Sequence, residues 1–84
     1  MKVTLKLYAT LTDHLPDAAR KSNALELELD EGTTPAQVIE KHNLPLKLCH
    51  LVLIDGIFVP PAERARRALT DGETLAIWPP IAGG

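Results

Sequence analysis

Apolar and polar residues alternate from the first residues of the chain. Val3, Leu5 and Leu7 fall on one side of an extended segment, with Lys2, Thr4 and Lys6 on the other, and this period of two predicts a first strand from Met1 to Leu11. The same period returns at Leu25, Leu27 and Leu29, with Glu26, Glu28 and Asp30 facing away. Antiparallel pairing of the two segments would set Lys2 and Lys6 near that acidic row. The intervening stretch from Thr12 to Asn23 is polar and interrupted by Pro16, with a short helical turn expected around Ala18 and Ala19.

The period then changes. Thr34-Pro35-Ala36-Gln37 is a helix start: threonine at the N-cap, proline at the first helical position and glutamine three residues after the cap. Val38, Ile39 and His42 form its apolar stripe, and Pro45 disfavours helix at Leu44, so the helix ends by Asn43. Leu51 to Ile54, the pair Asp55-Gly56, and Ile57 to Val59 read as a β-hairpin closed by a type I′ turn and stopped by Pro60 and Pro61. Ala62 to Leu69 reads as a short helix or 3₁₀ segment with Glu63 and Arg67 four residues apart. Asp71-Gly72 marks a turn, and Thr74 to Trp78 is a last strand. One helix against five strands gives an α+β, two-layer β-grasp architecture, a mixed sheet with the last strand beside the first. Residues 1–78 form the domain and residues 79–84 an extended tail.

A single helix covers one face of such a sheet. If Ile54 pairs with Ile57 across the turn, Val52, Ile54, Ile57 and Val59 share one side of the hairpin, and Leu51, Leu53 and Phe58 share the other. Both sides are apolar, and Trp78 adds an aromatic opposite Leu75 and Ile77. Two accounts stay open: loops and the 62–69 segment bury the surplus, or an apolar patch is exposed and binds a protein. Arg64, Arg66 and Arg67 then form either a polar rim or a solvated face.

Composition narrows the function classes. The chain has 84 residues, 45% hydrophobic and 24% charged, which makes one small globular domain without room for an enclosed catalytic cavity. A net charge of −2 argues against a partner held by phosphate contacts, and 4% aromatics leave no stacking platform for nucleic acid. The alternating N-terminus contains no signal-peptide core, and no stretch approaches the ~20 apolar residues of a membrane span, so a cytoplasmic protein is expected. Cys49 is the single cysteine, so there is no internal disulfide. Cys49 and His50 are adjacent but would point to opposite faces of an extended segment, which defeats a nucleophile–base pair. His14, His42 and His50 have no metal-ligand spacing, and no glycine loop for phosphate is present.

The C-terminus carries the chemistry. Pro79 and Pro80 stiffen the exit from the last strand, and the six residues to Gly84 can reach ~20 Å at ~3.3 Å each. Glycine lacks a Cβ and lets a backbone thread a narrow cleft, so Gly83-Gly84 suits a terminal carboxylate offered to another protein. This tail, Pro79-Pro80-Ile81-Ala82-Gly83-Gly84, together with Asp71-Gly72-Glu73-Thr74-Leu75-Ala76 and Leu53-Ile54-Asp55-Gly56, resembles the MoaD/ThiS family of ubiquitin-like sulfur carriers. Leu7-Tyr8-Ala9-Thr10-Leu11 is similar to the first strand of the branch that contains the small subunit of molybdopterin synthase.

The resemblance implies a carrier rather than an enzyme. A ubiquitin-activating-type adenylyltransferase would use ATP to adenylate Gly84, with Gly83 providing clearance. A sulfur donor would convert the adenylate to a thiocarboxylate, and a synthase subunit would accept the sulfur. No cofactor would be held by the chain itself. Trp78, Pro79, Pro80, Ile81, Ala82, Phe58 and Val59 would line the partner surface. Alternatives are delivery to thiamine or another thiolation, attachment to target lysines as a modifier, and a β-grasp interaction module that is never activated.

Overall fold

Of the 84 residues, the structure, a computed structural model, describes residues 1–80. Five strands, β1 (Lys2–Leu7), β2 (Ala24–Glu28), β3 (Leu51–Ile54), β4 (Ile57–Phe58) and β5 (Thr74–Trp78), form one sheet in the order β2-β1-β5-β3-β4. β5 lies parallel to β1 and antiparallel to β3, while the β1–β2 and β3–β4 pairs are antiparallel. The alternating residues meet in register: Val3 pairs with Leu27 and Leu5 with Leu25 on one edge of β1, and Leu5 with Leu75 on the other. This is the mixed five-stranded sheet with one main helix that the patterning predicts, the last strand beside the first.

Two helices interrupt the strands, α1 (Asp17–Arg20) and α2 (Pro35–Lys41). The α2 cap is reciprocal. The Gln37 backbone N–H donates to Thr34 Oγ1 at 3.3 Å, and the Thr34 N–H donates to Gln37 Oε1 at 2.9 Å. Seven residues are too few for a helix to persist alone in water. It is held because Val38 and Ile39 are buried with Val3, Leu5, Leu7, Val52, Leu75 and Ile77 in one aliphatic core. Each such side chain removed from water stabilises by about 1.5–3 kcal/mol.

The first strand is shorter than its alternation predicts. It ends at Leu7, because Ala9 takes a positive φ of 52° and turns the chain into a 3₁₀ segment, Ala9–His14. That turn rolls Leu11 into the core. The hairpin forms in the expected register, Ile54 with Ile57 and Leu53 with Phe58, through a turn with positive φ at both Asp55 and Gly56. The 62–69 segment forms one 3₁₀ turn, Pro61–Glu63, followed by irregular turns. Glu63 and Arg67 do not pair through their side chains: Arg67 turns instead to Glu73, at 2.7 and 2.9 Å, and Glu63 meets Arg66 at 3.9 Å. Among the described residues no helix is long and apolar enough to cross a membrane.

Candidate functional site

The sheet face opposite α2 is divided along its length. At one end, cross-strand neighbours are polar: Thr4 sits between Glu26 and Thr74, and Lys2 is opposite Glu28. Toward the other end the row becomes Phe58, Leu53, Ala76 and Lys6, read across β4, β3, β5 and β1. The next row sets Leu51 opposite Trp78, and Tyr8, just past β1, stacks on the far side of the indole. Trp78 is 40% exposed and Phe58 50%, while Leu51, Leu53 and Tyr8 are half-buried. The surplus apolar surface is therefore exposed rather than covered by loops. The chain's Tyr, Trp and Phe, one of each, all belong to this face, and the core under α2 is aliphatic.

β5 ends at the apolar end of this face. Trp78 closes β5, with Pro79 half-buried and Pro80 exposed after it. Backbone bonds hold this exit from both sides: the Tyr8 N–H donates to Ile77 O at 3.3 Å, and the His50 N–H donates to Trp78 O at 3.1 Å. Ile81, Ala82, Gly83 and Gly84, named from the sequence as the rest of the surface and the reacting end, lie outside the described residues.

Two expected positions change. Val59, named for the partner surface, is 5% exposed with its side chain in the core, and its N–H donates to Val52 O at 2.8 Å. Ile57, on the helix side of the sheet but on its outermost strand, is 72% exposed. The arginines divide as well. Arg64 is neither rim nor solvated: its Nη1 donates to Cys49 O at 2.8 Å, its Nη2 to His50 O at 3.0 Å and its Nε to Val59 O at 3.1 Å. Nothing local in the sequence signals those contacts, which span up to 15 residues.

The remaining titratable groups read as structural. Burial pushes the Cys49 thiol above its ordinary pKa, with Arg64 partly opposing, which is the wrong direction for a nucleophile. Burial, and then Lys41, lower His42. Among the described residues no cluster of three or more His, Cys, Asp or Glu could hold a metal ion.

A two-layer β-grasp domain with an aromatic patch at the end of its last strand is the class that fold and site define. The sequence model of the ThiS family matches residues 13–84, and the chain belongs to that family. No match was found among curated proteins. Solved structures share the fold. SAMP1 from Haloferax volcanii is 20% identical with a TM-score of 0.69, the match covering 100% of both chains. The Haloferax volcanii HVO 2177 protein is 23% identical with a TM-score of 0.75, over 100% of this chain and 87% of that one. Subunit 1 of a putative molybdopterin converting factor from Pyrococcus furiosus is 20% identical with a TM-score of 0.67, over 96% of this chain and 99% of that one.

Proposed function

We propose that this protein is a sulfur carrier acting through the carboxylate of Gly84. A partner enzyme of the ubiquitin-activating type supplies ATP: a Gly84 carboxylate oxygen attacks the α-phosphorus and pyrophosphate leaves. A hydrosulfide equivalent from a donor then attacks the acyl carbon and AMP leaves, giving a C-terminal thiocarboxylate. The thiocarboxylate sulfur then attacks an electrophilic carbon of an acceptor and displaces its leaving group, and water hydrolyses the resulting thioester, so that the sulfur stays on the acceptor and the Gly84 carboxylate is regained. In this reading the chain does no catalysis; it offers a recognisable handle and an unobstructed end, as a domain of residues 1–78 with a tail of residues 79–84.

The observation that carries the reading is the placement of Tyr8, Phe58 and Trp78 on the uncovered face, toward the end of the strand that leads into Pro79. Phe58 and Trp78 are exposed on this face and Tyr8 stacks on the indole, an arrangement that fits a protein partner, with Lys6 and the polar end of the face as the rim. Membership of the ThiS family supports the chemistry at the tail. For the acceptor we propose molybdopterin synthase, on the likeness of Leu7-Tyr8-Ala9-Thr10-Leu11 to that branch. A solved Helicobacter pylori complex of subunits 1 and 2 of molybdopterin-converting factor has this fold in one chain, 14% identical with a TM-score of 0.62, the match covering 100% of both chains. A partner of the subunit 2 kind is what the patch would dock.

Intact mass after incubation with ATP, a sulfide source and the host's activating enzyme tests the reading. Exchange of one oxygen for sulfur at the terminus is expected, and one residue added after Gly84 should abolish it. Isopeptide adducts would instead identify a modifier. An unchanged mass with retained partner binding would leave a β-grasp interaction module.

A further inference from the structure

We propose that Arg64 is a positioning residue for the C-terminal tail, because its guanidinium holds the peptide unit that fixes the end of β5. The proposal rests on the carrier reading above.

The C=O of Cys49 and the N–H of His50 belong to one planar peptide unit, and the two ends of that unit are engaged differently. Its oxygen accepts from Arg64 Nη1 at 2.8 Å, and its N–H donates to the carbonyl of Trp78 at 3.1 Å. A plane gripped at its oxygen cannot rotate its N–H freely, so the guanidinium orients the donor that holds the last residue of β5. Arg64 Nη2 grips the next carbonyl, His50 O, at 3.0 Å, which fixes the backbone on both sides of His50. The third donor, Nε, ties Val59 O at the exit of the hairpin, and the Arg64 carbonyl accepts the Ala36 N–H of α2 at 2.8 Å. One residue thus locks helix, hairpin and tail-bearing strand together.

This lock sits immediately before two residues that cannot anchor themselves. Pro79 and Pro80 have no N–H, so neither can donate to a neighbouring strand. The backbone at Trp78, from which the chain passes into Pro79, is held by the His50 bond on one side and by Tyr8 on the other. Among the described residues Arg64 makes no ion pair with a carboxylate; its charge is spent on backbone carbonyls. Charge-assisted bonds are roughly twice as strong as neutral ones, and a fork of fixed geometry constrains several carbonyls at once. Lysine, a point donor on a flexible stem, reproduces the charge but not the fork.

The test uses the full chain and the host's activating enzyme, and measures ATP–pyrophosphate exchange with the carrier as varied substrate. Arg64→Lys is expected to unfold cooperatively, to keep KM within about twofold, because the patch that docks is intact, and to lose at least about tenfold in kcat as the carboxylate is misaimed. The His50 amide should exchange with deuterium faster than in the wild type while the amides of β1 do not change. Where Arg64→Lys does not fold, an ester in place of the His50 amide removes the N–H that reaches Trp78 and should give the same split of kcat from KM. A folded Arg64→Lys or ester variant with wild-type kcat overturns the proposal, as does a loss of kcat matched by an equal loss of global stability. Absence of exchange with the wild-type chain would sink the carrier reading and this proposal together, whereas a normal wild type beside an unaffected variant sinks the proposal alone.

Discussion

Tyr8 and Trp78 stack face to face, their ring centroids 3.8 Å apart and their planes 2° from parallel. The contact joins the end of β1 to the end of β5, two strands that run parallel, so both rings arrive at the same edge of the sheet. It covers one face of each ring and leaves the indole available beside the tail. A residue that completes the fold and also faces a partner should show two separable losses when removed.

Trp78→Ala is accordingly expected to cost about 1 kcal/mol of folding stability, the worth of an aromatic pair on a part-exposed surface. For a chain of this length that lowers Tm by about 4–8 °C. Binding to the activating enzyme should weaken by far more than this change in stability explains. Phe58→Asp should weaken the same binding while moving stability by no more than ~0.5 kcal/mol, since Phe58 is half exposed on a two-residue edge strand. Calorimetric titration alongside urea unfolding checks both. If both variants bind normally, the aromatic face is not the docking surface.

Glu73 sets an acid limit on stability. Its mostly buried carboxylate takes two bonds from Arg67 and one from the Thr70 N–H, and these hold its pKa below the ordinary 4.5, Arg67 contributing most and burial opposing. The folded protein therefore binds fewer protons here than the unfolded chain. The stabilisation is fully present above about pH 4.5 and is lost as pH falls through the lower folded value. Glu73→Gln should be less stable than the wild type at pH 7, and the gap between the two should narrow as the pH falls below 4.5. Urea midpoints measured across that range give the comparison directly; a constant gap would show that the Arg67–Glu73 pair contributes nothing through its charge.

Ala9 holds a conformation that favours glycine. At φ 52° its Cβ crowds its own backbone, which costs roughly 1–2 kcal/mol, offset in part because alanine loses less backbone entropy on folding. Ala9→Gly is expected to raise stability by about 0.5–1 kcal/mol, read as a higher urea midpoint at unchanged slope. A lower midpoint would mean that contacts of the alanine methyl outweigh the strain.

How much of the molecule is legible in its sequence depends on the range of the forces involved. The α2 cap and the Asp55-Gly56 turn are legible because each is closed by residues within a few positions of one another. The two-residue period of Val3, Leu5 and Leu7 marks the core face of β1 for the same reason. Its extension to Leu11 fails because Leu7, Ala9 and Leu11 keep that period even though Ala9 has left the strand. The departure answers a tertiary demand, since Leu11 is drawn into the core. Arg64 has no local signature, as its carbonyl acceptors come from two other segments of the chain. The hairpin pattern sets Val59 on the side of Val52 and Ile54, where it is buried, but both sides are apolar, and which side α2 covers decides which of them is core. The same ambiguity leaves the patch undecided in the sequence, and only the exposure of Phe58 and Trp78 in the folded chain resolves it.

In the proposed carrier function, Gly83 bears on the chemistry most directly. An adenylating pocket must admit the Gly84 carboxylate through a passage narrow enough to exclude water from the acyl-adenylate, and a side chain one residue back would meet the walls of that passage. Gly83→Val should therefore fold as the wild type does, with superimposable urea curves, and dock with unchanged affinity through the Trp78 face. Formation of the adenylate should fall by at least about tenfold, because the carboxylate no longer reaches in-line position on ATP. Gly83→Ala, with the smallest added group, should be intermediate. Equal thiocarboxylation of the valine variant and the wild type, measured by intact mass under single-turnover conditions, would remove the clearance argument. The double glycine would then be a feature of the terminus with no bearing on activation.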